Sequence, residues 1–302
     1  MQRAIVKKLL MVRKTVTYIG WSLFWLLIWD VIVTVDFMVF LEPKFTLPAL
    51  PLTLLGSALV VLTSFRNSSA YNRWWEARTL WGALVNNSRS FARQILTLID
   101  DEHGINPVKA TLLRRHVAYV KCLSAHLKGR TCELEEMAPY ISSQELAKAQ
   151  NTNNFPNDLL NSSAALLVKE YRAGRLDSIR MARIESTLVE ISNCQGGMER
   201  IANTPLPYPY VAFPRLFITL FCIIVPIGLV ETLGWFTPLA STVVGFMLLA
   251  IEKIGSDLQS PFLASEHEIQ MTALCQNIEK NLDSMLRDAK TECDSGQLAA
   301  QV

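Results

Sequence analysis

Ser57, Val61 and Phe65 recur at steps of four in an apolar run. Each step of four drifts only about 40° around an α-helix, so the three form one stripe. If several copies of the chain packed around an axis, Val61 and Phe65 would line an apolar constriction that gates by dewetting. The same spacing also suits a face turned to lipid or packed on another helix, and Gly56, Ser57 and Ala58 fit close packing. Asp30 and Asp36 lie within a second apolar run. A carboxylate there is costly unless it meets water or a polar partner. Asp36 sits near the outer end and can reach an interface. Asp30 is deeper, and is a candidate either for permeation or gating or for a hydrogen bond to neighbouring helices.

Other chemistry is sparse. There is no G-x-S-x-G, P-loop, H-E-x-x-H or G-x-G-x-x-G. The histidines, at 103, 116, 126 and 267, follow no pattern, and His-based catalysis needs a base with an orienting partner in reach. The cysteines stand at 122, 132, 194, 222, 275 and 293 with no C-x-x-C pair, so reduced thiols are expected. Cys122, His126 and Cys132 offer an incomplete ligand set for a metal. The reading is of a non-enzyme with no cofactor and no metal site. A net charge of +2 is too small to draw a nucleic acid.

The elements that would position these residues are read from hydropathy. Half of the 302 residues are hydrophobic and 19% are charged, with a mean hydropathy of +0.23. Those figures fit together only if the apolar residues are blocked together. Four blocks are visible: Tyr18–Leu41, Leu47–Phe65, Val211–Leu233 and Phe236–Ile254. The first is long enough to cross a ~30 Å hydrocarbon core with tilt, and longer than the apolar part of a signal peptide. Pro48 and Pro51 open the second, where missing donors cost least. No Pro or Gly interrupts Ser57–Trp81, so that helix is expected to continue beyond the apolar run. Pro214, Pro226 and Gly228 give the third block an irregular character that buried or cavity-lining backbone tolerates.

Between the second and third blocks, helices are expected at Leu112–Leu127, Ser142–Gln150, Leu159–Tyr171 and Ser178–Ile201, with a loop at 151–158. Ile184, Leu188, Ile191 and Cys194 mark one apolar helix face. Residues 255–302 are polar and helix-prone, with a frayed end. Arg3, Lys7, Lys8, Arg13 and Lys14 precede the first block, and Arg66, Arg73 and Arg78 follow the second, whereas the connecting turns carry only Lys44. The positive-inside rule then places both termini and residues 66–210 in the cytoplasm. The expected divisions are 1–65 with spans one and two, 66–210 as a cytosolic helical region, 211–254 with spans three and four, and 255–302 as a cytosolic helix and tail.

Three stretches together resemble the bestrophin family, its bacterial branch in particular. They are SFRNSSAYNRWWEAR at Ser64–Arg78, CQGGMERIANTPLPY at Cys194–Tyr208, and DLQSPF at Asp257–Phe262. The order, spacing and hydropathy match from about residue 1 to 290. The resemblance implies an all-α, four-transmembrane-helix protein with a cytosolic helical domain, assembled as a homopentamer around a central pore. It places an apolar neck on Ser57, Val61 and Phe65, with Ser57 departing from the family's bulky apolar residue. It implies a second, cytosolic constriction near Ile179, with Leu176 as the rival position. Asp257, Glu266 and Glu268 are too few to assemble a calcium site of hard oxygen ligands.

The function implied by the resemblance is conduction of monovalent ions, chloride or other anions by family association. A monovalent cation channel of the bacterial branch is the alternative, since an apolar neck carries no sign of its own. A non-conducting membrane scaffold is a third reading, and a secondary transporter finds only Asp30 as a midplane charge. The partners expected are permeant ions, membrane lipid and further copies of the chain. The location expected is a bacterial cytoplasmic (inner) membrane, in multi-pass form. Pro205, Pro207 and Pro209 are expected to extend the link into the third block. Gly196 and Gly197 are expected to allow a turn or a close backbone contact.

Overall fold

A computed structural model describes residues 18–40, 49–101, 106–149, 152–263 and 268–299, with side chains described except at 49–50, 149 and 294–299. The basic residues before Tyr18, Leu41, Lys44, Leu47, Pro48, His103, Gln150, Glu266, His267 and the last three residues lie outside that set. All regular elements among the described residues are helical. They are α1 (Trp21–Val35) with a π-helical turn at Asp36–Phe40, α2 (Ala49–Leu98), α3 (Pro107–Leu127), α4 (Leu134–Met137), α5 (Ser143–Ala149), α6 (Phe155–Arg172), α7 (Ser178–Asn203), α8 (Tyr208–Leu233), α9 (Thr237–Leu258) and α10 (Met271–Ala299). The chain divides into two compact units: Met1–Trp74 with Pro205–Ser260, and Trp75–Thr204 with Pro261–Val302.

Unit 1 is built on α1, α8, α9 and the first part of α2. Its core joins Leu26, Leu59, Ile218, Phe221, Cys222, Val225 and Leu248. Gly56 lets α2 approach α8, since a Cβ there would stand 3.0 Å from the Phe221 ring. Two stretches are long and apolar enough to cross a membrane, Trp21–Phe40 and Tyr208–Leu258, the latter holding α8, a 3₁₀ turn at Gly234–Phe236 and α9. Only 17% of the first is buried, which is the reverse of a soluble core helix. Trp21, Phe40, Trp235, Phe236 and Leu239 turn outward, a surface that hydrocarbon accepts and water penalises.

Pro214 and Pro226 lie inside α8, yet the helix runs through both. The irregular backbone expected there is absent from the described residues of α8. Near Pro226, the indole N–H of Trp29 donates to the Ile223 carbonyl at 3.0 Å, so a neighbouring helix supplies a donor where proline loosens the ladder. Pro209 falls in the first turn of α8 instead of extending the link before it. A missing N–H costs nothing in that position. The turn into the 3₁₀ segment uses Gly234 at φ +51, backbone that suits glycine.

Unit 2 packs α3 against α6 and α10, and α6 against α7. Trp81, Leu84, Phe91, Ala92 and Ile95 of α2 are fully buried within it. The predicted stripe of Ile184, Leu188, Ile191 and Cys194 is buried on α7. Several helices start earlier than periodicity suggested. Asn106 accepts from the Val108 N–H at 3.0 Å ahead of Pro107, and Asn154 accepts from the Asn157 N–H at 3.2 Å ahead of Pro156. Asn followed by Pro in the first turn is helix-starting chemistry, so α6 consumes half of the expected 151–158 loop. Cys122 and Cys132 are paired as a disulfide with their Cα atoms 5.1 Å apart, which corrects the expectation of a reduced pair. Cys194, Cys222 and Cys275 are free and buried.

Charged groups inside unit 2 are matched. Glu170 sits below the usual carboxylate range because Arg175 donates to it, aided by Asn106. Burial opposes the charge on Lys121, yet hydrogen bonds to Tyr140 and Glu279 outweigh it and raise its pKa. His116 meets the Ser88 hydroxyl at 2.9 Å between the Phe91 and Tyr119 rings. Complete burial pushes its pKa down to about 3, so it is neutral at physiological pH.

Candidate functional site

The apolar part of α2 has two opposite faces. Leu59, Thr63, Arg66 and Ala70, at steps of four, three and four, are buried. Ser57, Val61 and Phe65 are exposed, Val61 at 55% and Phe65 at 67%, against 2% for Leu59. Two residues correspond to about 200° of helix rotation, so the second stripe lies opposite the first. Ser57 and Ser64 return their hydroxyls to the carbonyls of Thr53 and Val60, at 2.9 and 2.8 Å.

Asp30 lies apart from this stripe. It is fully buried on α1, and its Oδ2 accepts from the Thr242 hydroxyl of α9 at 2.8 Å. Its Oδ1 has no hydrogen-bond partner among the described residues. Thr34 donates to the Asp30 carbonyl at 2.7 Å. Asp36 is exposed in the π-helical turn.

Ile179 belongs to unit 2. It is 82% exposed, whereas Leu176, the rival position, is 2% exposed. Asp177 caps α7, accepting from the Ile179 and Arg180 N–H groups at 2.8 and 2.9 Å. Arg180 bridges to Asp100 at 2.8 Å, so its guanidinium is tied down beside the outward isoleucine.

A family model described as bacterial/fungal bestrophin protein matches residues 3–284. The chain belongs to the bestrophin family. A voltage-dependent anion channel-forming protein of Salmonella typhimurium is 32% identical to this bestrophin over 255 residues, covering 84% of this chain and 82% of the relative. A protein of the same description from Nostoc sp. is 32% identical over 239 residues, covering 78% and 76%. A crystal structure of a bacterial bestrophin homologue from Klebsiella pneumoniae superposes with a TM-score of 0.82 at 25% identity, over 87% of this chain and 96% of that one.

The motifs that carried the resemblance have visible physical roles in this bestrophin. Arg73 donates from Nε to the Gln259 carbonyl at 2.7 Å, tying α2 to the DLQSPF segment. Gly197 lies within an unbroken α7, so no turn forms there, but a Cβ on it would stand 2.8 Å from a Leu80 methyl carbon. Gly196 faces open space. Glu199 accepts from Asn154 and Gln195 at 3.0 and 2.7 Å. Asp257 is engaged by the Tyr18 hydroxyl and by Lys253 at 3.1 Å.

Sequence reasoning missed Arg66 as a buried group and read it only as a charge for orientation. Its side chain is 1% exposed and pairs with Glu252 at 3.4 Å. The available signal was Glu252, an acid inside the fourth apolar block that had to find a cation.

Proposed function

We propose that this bestrophin is the subunit of an ion channel that passes monovalent anions across a bacterial cytoplasmic membrane, as a homopentamer with its neck on Ser57, Val61 and Phe65. The observation that carries this reading is the outward stripe on α2. Val61 and Phe65 stay exposed on a helix whose opposite face is packed, in a chain whose relatives are named as anion channel-forming proteins. Brought around an axis, such stripes make an apolar ring that ions cross only by shedding water. Ser57 adds a hydroxyl at the outer end, which keeps that end wetter than the rings of Val61 and Phe65.

In this proposal the four apolar blocks span the membrane, both termini and residues 66–210 are cytoplasmic, and lipid contacts the outward aromatic residues of unit 1. Residues 255–302 belong with the cytosolic part. Ile179, presented at the start of α7, forms a second constriction. Asp30 is assigned to holding α1 on α9, and its effect on permeation is indirect.

The test is reconstitution of the purified full-length protein in planar bilayers under a KCl gradient. A reversal potential displaced toward the chloride equilibrium value supports the anion reading. Displacement toward the potassium value replaces it with cation conduction, which a neck without charge also permits. Silence across voltage and pH removes the channel reading in favour of a scaffold. Phe65→Ala must change the unit conductance if Phe65 lines the pathway.

A further inference from the structure

Arg66 has one satisfied edge and one unsatisfied edge. Its Nη1 donates to the Glu252 carbonyl at 3.2 Å and to the Glu252 carboxylate at 3.4 Å. Nε and Nη2 are buried with no hydrogen-bond partner among the described residues. Those two nitrogens form the side of the guanidinium on which a carboxylate or phosphate docks through two parallel bonds. A charged donor left unpaired in an apolar interior is among the costlier defects a fold can carry. Glu252 cannot remove it, because it already engages the other side. Arg215 lines a second cavity of unit 1 together with Glu252. The open Nε and Nη2 edge of Arg66 asks for a further acceptor.

Arg66 also lines a cavity of about 460 Å³ in unit 1, within the usual range for small-molecule sites. Leu62, Phe65, Phe213 and Phe217 make its apolar walls, with Ser68 and Tyr210 at polar positions. A small hydrated anion has no use for those walls. A molecule with an anionic head and an apolar chain uses both.

We propose that this cavity binds an anionic amphiphile, with a phosphate or carboxylate head on the Nε and Nη2 edge of Arg66 and a hydrocarbon chain along Leu62, Phe213 and Phe217. Membrane phospholipid and free phosphate share the head chemistry, and the apolar walls favour the lipid. The inference needs only the membrane placement of unit 1. It survives or fails separately from ion conduction.

The experiment is native mass spectrometry of the delipidated full-length protein, titrated with phosphatidylglycerol and, separately, with inorganic phosphate. Wild type is expected to take up the lipid. Arg66→Lys keeps a charge for Glu252 but cannot offer two parallel donors, and is expected to weaken lipid binding about tenfold or more. Ser68→Trp fills the cavity from an exposed position, and is expected to weaken binding to a similar degree. Equal lipid uptake by wild type and both variants would overturn the proposal. Displacement of the lipid by phosphate at equal concentration would overturn the amphiphile in favour of a free anion. Absence of lipid from wild type, with Ser68→Trp changing the oligomeric state instead, would show the cavity to be a contact between copies and sink the proposal.

Discussion

The carboxylate of Asp30 on α1 accepts a hydrogen bond from the Thr242 hydroxyl on α9, at 2.8 Å across 212 positions of sequence. Thr242→Val keeps the shape of the side chain and removes a donor from a buried carboxylate. A loss of about 1–3 kcal/mol is expected, read as earlier thermal unfolding in detergent. Asp30→Asn retains an acceptor for Thr242 and is expected to be milder than Asp30→Ala. Equal stability of Thr242→Val and wild type would show that the bond contributes nothing.

The two faces of α2 are expected to respond oppositely to truncation. Leu59→Ala opens a cavity in a packed core and costs about 2–5 kcal/mol. Phe65→Ala removes an outward side chain and should shift stability by no more than about 0.5 kcal/mol, while altering unit conductance. Denaturation of each purified variant, beside single-channel recording, separates the roles. A large stability loss in Phe65→Ala would place that side chain in a packed contact.

Stability of unit 2 is expected to fall as pH drops from about 6.5 toward 3. His116 has its folded pKa pushed down to about 3 by burial, whereas an unfolded histidine protonates near 6.5. Between those values the unfolded state binds a proton that the folded state refuses, so acid favours unfolding by about 1.4 kcal/mol per pH unit. Glu170, held low by Arg175, adds to the loss only below the ordinary glutamate range. Hydrogen exchange of α3 amides at pH 7.0, 6.0 and 5.0 should show declining protection in wild type. His116→Gln should flatten that decline, and an unchanged decline would assign it to other groups.

The adjacent glycines of α7 should behave differently. Gly196 faces open space and Gly197 lies against Leu80. Gly196→Ala is expected to gain about 0.5–1 kcal/mol from reduced backbone freedom. Gly197→Ala has the same gain opposed by a clash that displaces Leu80, and is expected to cost roughly 1–3 kcal/mol net. Urea denaturation of the pair provides the comparison, and two equal values would remove the close-approach role from Gly197.

Hydropathy and helical periodicity make much of this bestrophin legible in its sequence. The buried stripe from Ile184 to Cys194 and the long uninterrupted α2 are local patterns, and local patterns survive in the linear chain. The capping boundaries at Asn106 and Asn154 are also local, an Asn ahead of a first-turn Pro, but lie in polar stretches whose composition equally suits a loop. The irregular third span and the reduced Cys122–Cys132 pair were expectations that the structure replaced.

Sequence by itself determined the helical class, the family and the stripe of Ser57, Val61 and Phe65, because side-chain order and spacing are enough for each. Only the tertiary structure decided which stripe of α2 is packed, since both have helical spacing and exposure depends on what α8 and α9 bring alongside. It likewise decided that Asp30 meets Thr242 and that Arg66 meets Glu252, 186 positions away. A buried charge announces its need for a partner in the sequence, but the partner is chosen by which helices the core brings together.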